Sequence, residues 1–446
     1  MTALIKNIKT GRNPFILFLP FLILYVTLIL IFATNGSNGD EGRYLMYAQN
    51  LTQGFYSPPP PAIDLGNGPG YPLLLAPFVA LNLPLIFIQL LNAIFYYLSI
   101  TLLFKSLQQI VSFRFTIVFS LVWALYPIFY EYMTNILPEI FAASLIPLLL
   151  FTTIKAFKID NSNKVRKYIF FAGFTFGYLA LTKPIFGYVL MFMIAGILLL
   201  LIRNRRKINY KKSLGILFIA LITTTPYLIY TYHLSGKIFY WSSFGGNNLY
   251  WMTSPYEGEY GDWMGFPVSP NEKNIIPGGR ELITLRHQKD FDEILKNEKV
   301  QKANIRNGII EYNLTKGIDQ DDLLKKIAIN NIKNYPIKYV ENCISNIGRI
   351  FFNFPFSYKS QKARTLLRLP VNGILLVLSL FCMIPTFKNW GKIIYPIRFL
   401  LFFALLYFGG SVLGSAETRM FIMVVPILLV WIAYILSKSV RIKMYW

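Results

Sequence analysis

Apolar stretches of about 17 to 25 residues recur along the chain, and each is long enough to cross roughly 30 Å of hydrocarbon as an α-helix. The intervening segments are polar or basic. This pattern predicts ten membrane-spanning helices, near 14–33, 83–104, 113–130, 138–154, 168–182, 185–202, 213–232, 371–387, 396–414 and 420–437. The first stretch lacks a small-residue cleavage motif after it, so we interpret it as an uncleaved anchor.

The stretch 168–202 is ambiguous because Lys183 and Pro184 interrupt it. One helix of that length would measure about 52 Å, which is too long for a bilayer. Two antiparallel spans instead bring the basic clusters 155–167 and 203–212 to the side of both chain termini. The sequence therefore predicts a helical hairpin here, with both termini cytoplasmic.

The composition agrees with this architecture, because 54% of residues are hydrophobic, 17% are aromatic and the mean hydropathy is +0.46. Such values exceed what a soluble surface tolerates. The predicted fold class is an all-α polytopic membrane protein with about ten transmembrane helices, extracytoplasmic interfacial helices and one large extracytoplasmic loop region. We expect it in a bacterial plasma (inner) membrane, in contact with membrane lipids.

The net charge of +23 follows the same topology. Half of the 44 Lys and Arg residues fall on the predicted cytoplasmic side, but only one of the 21 acids, Asp160, does. Positive-inside orientation explains this excess, so a nucleic-acid partner is not indicated. Acid chemistry is instead expected on the extracytoplasmic face.

The predicted topology divides the chain into three parts. An N-terminal membrane module of seven spans covers 1–232 and includes the first extracytoplasmic loop, 34–82. An extracytoplasmic region covers 233–370, and a C-terminal module of three spans covers 371–446. The two cysteines and two histidines show no metal-binding or disulfide spacing. We therefore predict no metal site and no cofactor, and leave dependence on a divalent metal open.

Asp40 and Glu41 are adjacent acids just after the first span. Carboxylates beside a membrane are expensive to desolvate, so they are usually retained for a partner or for chemistry. Leu45, Met46 and Ala48 follow at near-helical spacing, which predicts an interfacial helix with Asp40 near its N-terminus. The alternative is that Asp40 only caps this helix and pairs with Arg43.

Several short motifs occur in a recognisable order. They are DEGRY at 40–44, GPGYP at 68–72, LPE at 137–139, GYLALTKP at 177–184, GGNNLYW at 245–251, NYP at 334–336 and ETRMF at 417–421. This series resembles the GT-C class of polytopic, lipid-dependent glycosyltransferases, in the branch of the protein O-mannosyltransferases and the lipid A aminoarabinose transferase. The latter carries a Lys where this chain has Gly68, which disfavours a lipid A substrate.

The resemblance implies transfer of one sugar from a polyprenyl-phosphate-linked donor to a lipid, protein or glycan acceptor on the extracytoplasmic face, with inversion. Asp40 matches the family's catalytic acid and would be the general base. Glu41 is grouped with it as catalytic, either directly or by positioning the loop or the acceptor. Metal participation is not assigned.

Three cations at the outer boundary are predicted to bind the donor phosphate: Lys183, Arg43 and Arg419. Alternatively, Lys183 is a snorkelling anchor and Arg419 pairs only with the neighbouring Glu417. Glu139 is a possible supporting acid or a helix cap. Four residues are possible sugar or acceptor contacts, although Tyr and Trp are also ordinary interface residues; they are Tyr71, Asn247, Tyr250 and Trp251.

Other functions remain open at this point. A transporter or flippase of lipid-linked sugars would place ionisable groups near the bilayer midplane and show two similar halves. Here the acids gather at one face, and the sequence shows no convincing repeat. A polysaccharide polymerase or ligase would share the lipid-phosphate donor, and an assembly or scaffold subunit would not need Asp40.

Overall fold

The computed structural model describes residues 13–33, 40–60, 63–159, 162–203, 208–263, 305–306, 309–310, 317–357, 366 and 368–439. Regular structure in this part of the chain is helical, apart from one antiparallel pair of two-residue strands. These are β1 (Ile305–Arg306) and β2 (Ile309–Ile310), with Ile305 opposite Ile310. The predicted all-α fold class is confirmed.

The helices are numbered in chain order. In the first half they are α1 (Pro14–Leu17), α2 (Leu19–Phe32), α3 (Asp40–Thr52), α4 (Gly70–Ala80), α5 (Leu85–Leu107), α6 (Phe113–Ala124), α7 (Pro127–Tyr132), α8 (Pro138–Lys158), α9 (Ser162–Thr182), α10 (Ile185–Arg203) and α11 (Ile208–Ser235). The rest are α12 (Gly245–Met252), α13 (Ile318–Asn334), α14 (Pro336–Phe352), α15 (Arg368–Lys388), α16 (Tyr395–Leu413) and α17 (Val425–Ser439), with 3₁₀ helices η1 (Trp390–Lys392) and η2 (Thr418–Met423).

Every predicted span coincides with one or two of these helices. Seven stretches within the described residues are long and apolar enough to cross a membrane, which makes the chain a multi-pass membrane protein. They are Leu85–Leu107, Phe113–Tyr132, Pro138–Lys158, Ile185–Arg203, Ile208–Ser235, Arg368–Lys388 and Tyr395–Leu413. Helices α2 and α17 are apolar but shorter, and α9 begins with a basic turn. The count of ten spans therefore stays a prediction.

The hairpin predicted at Lys183 and Pro184 is confirmed. Helix α9 ends at Thr182 and α10 begins at Ile185. Gly173 and Gly177 of α9 lie against the carbonyls of Ile216 and Ala220, so α9 runs parallel to α11. Only four residues separate α10 from α11, and such a short connection joins antiparallel neighbours. Helix α10 therefore runs opposite to α9.

Basic residues gather at one end of the helix bundle. The Lys212 Nζ atom donates to the Ala156 carbonyl at 2.9 Å, and the Phe157 ring lies 4.9 Å from the Tyr395 ring. The end of α8 and the starts of α11 and α16 are thus together. This separation is what the charge pattern predicts, and assignment of the basic end to the cytoplasm stays a prediction.

The C-terminal helices pack within the N-terminal ones rather than beside them. Helix α17 contacts α5, α6 and α8. The Phe186 ring of α10 stacks 4.6 Å from Tyr407 of α16, and Phe176 of α9 lies 5.1 Å from Phe403. One buried apolar core therefore joins both predicted membrane modules. The proposed division describes order along the chain rather than separate cores.

The region between α11 and α15, which is predicted to be extracytoplasmic, contains helices. Charged and apolar residues at helical spacing over 286–350 predict interfacial or soluble helices, and α13 and α14 cover much of the second half of that stretch. Helix α12 packs on α13. Most of 286–316 lies outside the described residues. This region approaches the candidate site through Phe244, as described below.

The close packing of α9 on α11 predicts an effect for Gly177→Ala. A Cβ atom at Gly177 would lie 2.6 Å from the Cβ of Thr223 and 2.7 Å from the Ala220 carbonyl oxygen. Overpacking of this kind typically costs about 1–3 kcal/mol, so we expect a lower thermal midpoint in detergent. The matched control is Gly409→Ala, because nothing lies within 4 Å of that added atom. Equal midpoints for the two variants would contradict the proposed packing.

Candidate active site

Asp40 is the first residue of α3, where the helix dipole favours a carboxylate. Arg43 lies one turn later and its Nη2 atom is 2.7 Å from Asp40 Oδ1. The Nη2 atom of Arg419 approaches from η2 and lies 3.0 Å from Asp40 Oδ2. Both carboxylate oxygens therefore face guanidinium groups, while 35% of the Asp40 side chain stays exposed.

Glu139 is the second acid of the site and lies in the first turn of α8. Its side chain is only 4% exposed, and its Oε1 atom accepts from Lys183 Nζ at 2.8 Å. Arg419 Nε lies 3.6 Å from the same oxygen and 3.2 Å from Glu417 Oε2. Arg419 thus bridges Asp40 and Glu139.

We call these six side chains the charge network: Asp40, Arg43, Glu139, Lys183, Glu417 and Arg419. Three cations balance three carboxylates, so the network is formally neutral. Its members come from α3, from the start of α8, from the turn between α9 and α10, and from the segment around η2. Every predicted phosphate-binding residue is included, at the end of the bundle opposite the basic loops.

Glu41 has hydrogen-bond partners outside this network. It is buried, and its Oε1 atom accepts from Asn135 Nδ2 at 2.8 Å and from the Ile136 amide at 3.0 Å. These bonds tie α3 to the turn that precedes Glu139. Of the two roles left open for Glu41, they favour positioning of the loop over direct chemistry.

The motif at 68–72 forms the start of α4 rather than only a turn. A Cβ atom at Gly68 would lie 2.0 Å from the Leu181 carbonyl oxygen, and one at Gly70 would lie 2.7 Å from the Thr182 amide nitrogen. The Tyr178 hydroxyl also donates to the Gly70 carbonyl at 2.8 Å. Glycine is therefore required for this loop to reach the backbone beside Lys183.

Tyr71, one of the predicted sugar or acceptor contacts, lies in a layer of aromatic rings. Its ring meets that of Tyr44 edge-on at 5.5 Å, and the Tyr44 hydroxyl accepts from Asn67 Nδ2 at 2.7 Å. The Tyr71 hydroxyl is buried and has no hydrogen-bond partner among the described residues. It stays a candidate contact for a substrate hydroxyl.

The other predicted contacts lie in α12. Tyr250 and Trp251 are each 3% exposed and pack against the α13 residues Leu324 and Ile327, and Asn247 is also buried. Their rings therefore contribute to a protein core, and contact with a sugar stays a prediction. The start of α12 is nearer the network, because the Phe244 ring lies 5.7 Å from the Arg43 guanidinium.

The neighbouring charges change the acidity of Asp40. Burial by itself would raise the pKa of this carboxyl, but Arg43 and Arg419, with a smaller effect from Lys183, outweigh burial and lower the pKa. Asp40 is consequently ionised at neutral pH and accepts hydrogen bonds. While both guanidiniums hold it, however, it is a weak base.

Sequence reasoning did not find three residues that support the network: Asn135, Tyr178 and Phe244. Asn135 lies two residues before the LPE motif, so proximity to that motif is a signal that could have identified it. Tyr178 lies inside the GYLALTKP motif. Among the residues that the structure describes, no group of three or more His, Cys, Asp or Glu side chains is arranged to hold a metal ion.

Together, the fold and the charge network define a polytopic membrane protein that resembles the GT-C class. The fold is similar to that of the oligosaccharyltransferase of Archaeoglobus fulgidus tethered to an acceptor peptide with the NVT sequon, at 12% identity and a TM-score of 0.51. The alignment covers 94% of this chain and 49% of that one. The apo form gives 13% identity and 0.51, with 94% and 50% covered. The chain thus spans about half the length of this relative.

Within that class, residues 67–230 match the family model described as dolichyl-phosphate-mannose-protein mannosyltransferase. This part includes Glu139 and Lys183 but neither Asp40 nor Arg419. ArnT from Cupriavidus metallidurans is 12% identical, with 94% of this chain and 76% of that chain covered, but its TM-score of 0.41 is too low to carry an argument. No curated protein matches the sequence.

The contacts of Glu41 predict different thermal stabilities for two substitutions. Glu41→Ala removes the acceptor of a buried backbone amide, which typically costs about 1.5–3 kcal/mol when the lost partner is charged. Glu41→Gln keeps an oxygen at this place and should retain most of the stability. Thermal unfolding in detergent compares the two variants. A direct chemical role for Glu41 alone would instead leave both variants as stable as the wild type.

Proposed function

We propose that this protein is a membrane glycosyltransferase that moves a single sugar from a polyprenyl-phosphate-linked donor to a protein, lipid or glycan acceptor. The reaction would take place on the extracytoplasmic face of a bacterial plasma membrane, by inverting displacement. One observation carries the proposal: a partly exposed carboxylate, Asp40, is held by two guanidinium groups at the end of the bundle opposite the basic loops, and Arg419 links it to Glu139 and Lys183.

The cations are suited to a lipid phosphate. Arg43, Lys183 and Arg419 converge from three chain segments, and in the donor-free protein carboxylates neutralise them. An arriving phosphate offers the same kind of charged oxygen ligand and competes for these partners. The carboxylates thus keep the cations in place until the donor binds.

Donor binding would also activate the base. The guanidiniums of Arg43 and Arg419 lower the pKa of Asp40 in the free protein. When they turn toward the phosphate, their pull on Asp40 weakens, and its pKa rises toward the ordinary value. Asp40 then accepts the proton of the acceptor hydroxyl more readily as that oxygen attacks the sugar carbon. Base catalysis is in this way tied to an occupied donor site.

The same cations would assist departure of the lipid phosphate. Its charge increases as the bond to the sugar breaks, so fixed cations stabilise the transition state more than the bound donor. Lys183 is held by Glu139 in the turn between two helices. Its position depends on the packing of the turn rather than on a flexible loop. Glu139 would act as a supporting acid that orients Lys183 and Arg419.

The first test is turnover by purified protein reconstituted with candidate polyprenyl-phosphate sugars. Asp40→Asn should lower kcat by about 10²- to 10⁴-fold, the usual contribution of a general base. Asp322→Asn is the matched control, because Asp322 is an exposed acid paired with Lys237 outside the network. Undiminished transfer by folded Asp40→Asn would refute the assignment. Movement of donor across liposomes without sugar consumption would favour a transporter.

Lys183→Ala should mainly raise the KM for the donor and lower kcat, because it removes a phosphate contact that strengthens in the transition state. The matched control is Lys237→Ala, which removes a lysine from an exposed ion pair. Kinetics at varied donor concentration separate the two parameters. Equal effects of the two substitutions would contradict a donor site at Lys183.

The pKa of Asp40 predicts that kcat/KM and kcat decrease at different acidic pH values. In the free protein its pKa lies below the ordinary value of 3.8, so kcat/KM should fall only as pH drops below about 4, where the base becomes protonated. With donor bound, the pKa rises, and the acid limb of kcat should lie at higher pH. Initial rates from pH 3 to 8 check this, with the range chosen to bracket ordinary carboxyl values. If kcat and kcat/KM fell at the same acidic pH, the proposal that Arg43 and Arg419 turn from Asp40 to the phosphate would be contradicted.

A further inference from the structure

Helix α14 is amphipathic, but its apolar face is exposed and its polar face is buried. Four apolar residues at spacings of three and four share one face and are strongly exposed: Ile337 (76%), Val340 (56%), Ile344 (64%) and Ile347 (39%). We call them the apolar stripe. The opposite face carries Asn342, Asn346 and Arg349, and all three are fully buried. A water-soluble helix would have its faces the other way round.

The buried polar face binds the segment that leads to the charge network. This segment, residues 411–418 from the last turn of α16 to the start of η2, is called the arch. Asn346 Nδ2 donates to the carbonyls of Ser411 and Gly414, at 2.9 and 2.6 Å, and its Oδ1 atom accepts from the Ala416 amide at 3.2 Å. Arg349 Nε donates to the Ala416 carbonyl at 3.0 Å.

The last residue of the arch is also held by α14. The Thr418 hydroxyl donates to the Arg349 carbonyl at 2.9 Å. Arg419, the cation between Asp40 and Glu139, follows directly in the chain. The position of Arg419 consequently depends on α14, although α14 itself contributes no side chain to the network.

The apolar stripe ends against a helix that is long and apolar enough to span a membrane. Phe351 continues the stripe one turn further and is buried against Phe408 of α16, with ring centroids 5.7 Å apart. Phe408 lies about one helical turn deeper in this span than Ser411. Leu405 and Leu413 of the same span are 67% and 55% exposed, as lipid-facing residues are. The stripe therefore ends in a contact with a membrane-spanning helix that also exposes apolar residues.

Aromatic residues flank α14 on both sides. Tyr335 before its first turn is 51% exposed, and Phe354 after its last turn is 57% exposed. Aromatic rings at the two ends of an apolar face are typical of helices that lie in the boundary between headgroups and acyl chains. Among the possible occupants of the stripe, the bilayer is the one that these neighbours indicate.

We propose that α14 is a membrane-docked positioning helix: its apolar stripe lies among the lipid acyl chains at the carboxylate end of the bundle, and its buried polar face holds the arch that carries Arg419. The part of the proposal that places α14 in the bilayer concerns the fold alone. The consequence for donor binding rests on the proposed function. Loosening α14 from the bilayer would then loosen the cation that binds the donor phosphate.

Docking is tested with the full chain in lipid nanodiscs. An environment-sensitive fluorophore is attached to Ile344→Cys in a Cys343→Ser, Cys382→Ala background, and the matched control carries it at Lys326→Cys on the exposed side of α13. We expect lipids with brominated acyl chains to quench the label at 344 but not at 326. Equal, water-like emission at both sites would overturn the proposal. Cross-linking of position 344 between two copies without lipid quenching would also overturn it.

Coupling to the arch is tested with Ile344→Asp, a surface change that should spare the fold, and with the conservative Ile344→Leu. Ile344→Asp should speed hydrogen exchange of the Ala416 amide, which donates to Asn346 Oδ1, by about two- to tenfold. That is the equilibrium factor for loss of one hydrogen bond between neutral groups. Ile344→Asp should also raise the KM for the donor. Ile344→Leu should keep both the exchange rate and the KM at the wild-type values. Unchanged exchange in Ile344→Asp would overturn the coupling.

The two proposals can fail separately. If wild-type protein turned over no polyprenyl-phosphate sugar, the proposed function would be wrong, while quenching and hydrogen exchange would still decide the role of α14. If turnover occurred but Ile344→Asp and Lys326→Asp had the same donor KM, the glycosyltransferase function would stand and the influence of α14 on the donor site would be refuted.

Discussion

The bridge that Arg419 forms between Asp40 and Glu139 is the interaction on which the site depends. A guanidinium and two carboxylates at the edge of a membrane are stable only while they compensate one another, because any one left alone loses its hydration without a partner. The segments that carry them must therefore converge to within ion-pair distance. Arg43 adds a second cation beside Asp40, and Lys183 adds one beside Glu139. The resulting neutral group can remain partly buried.

Backbone contacts hold the members of this group in place. Glu41 binds the turn before Glu139, Gly68 packs on the turn that carries Lys183, and α14 binds the arch before Arg419. Glu41 and α14 do so by pairing backbone amide and carbonyl groups that need partners. Gly68 does so by allowing a close approach of two backbones. Residues without a chemical role thus decide where the chemical ones lie.

Much of the architecture could be predicted because hydrocarbon imposes a strong rule. A span must be apolar over a fixed length, and the helices lie where the apolar stretches do. The interruption at Lys183 and Pro184 was interpreted correctly as a turn for the same reason. Finer breaks, such as those at Phe18 and between α6 and α7, were not predicted. No change in hydropathy marks them, because a small bend leaves the side chains in the same apolar surroundings.

Patterns along the chain were enough to predict the all-helical multi-pass class and the separation of basic loops from the acids. The resemblance in short motifs added the candidate residues Asp40, Glu139, Lys183 and Arg419. Which of these residues meet follows from the three-dimensional packing. The fold bonds Glu41 to the turn before Glu139, buries Tyr250 and Trp251 in a core, and faces the polar side of α14 inward. The apolar pattern of a segment depends only on neighbouring residues and indicates whether that segment is buried in lipid or protein. Asp40 and Arg419, by contrast, are 379 positions apart, and their pairing depends on how distant helices converge.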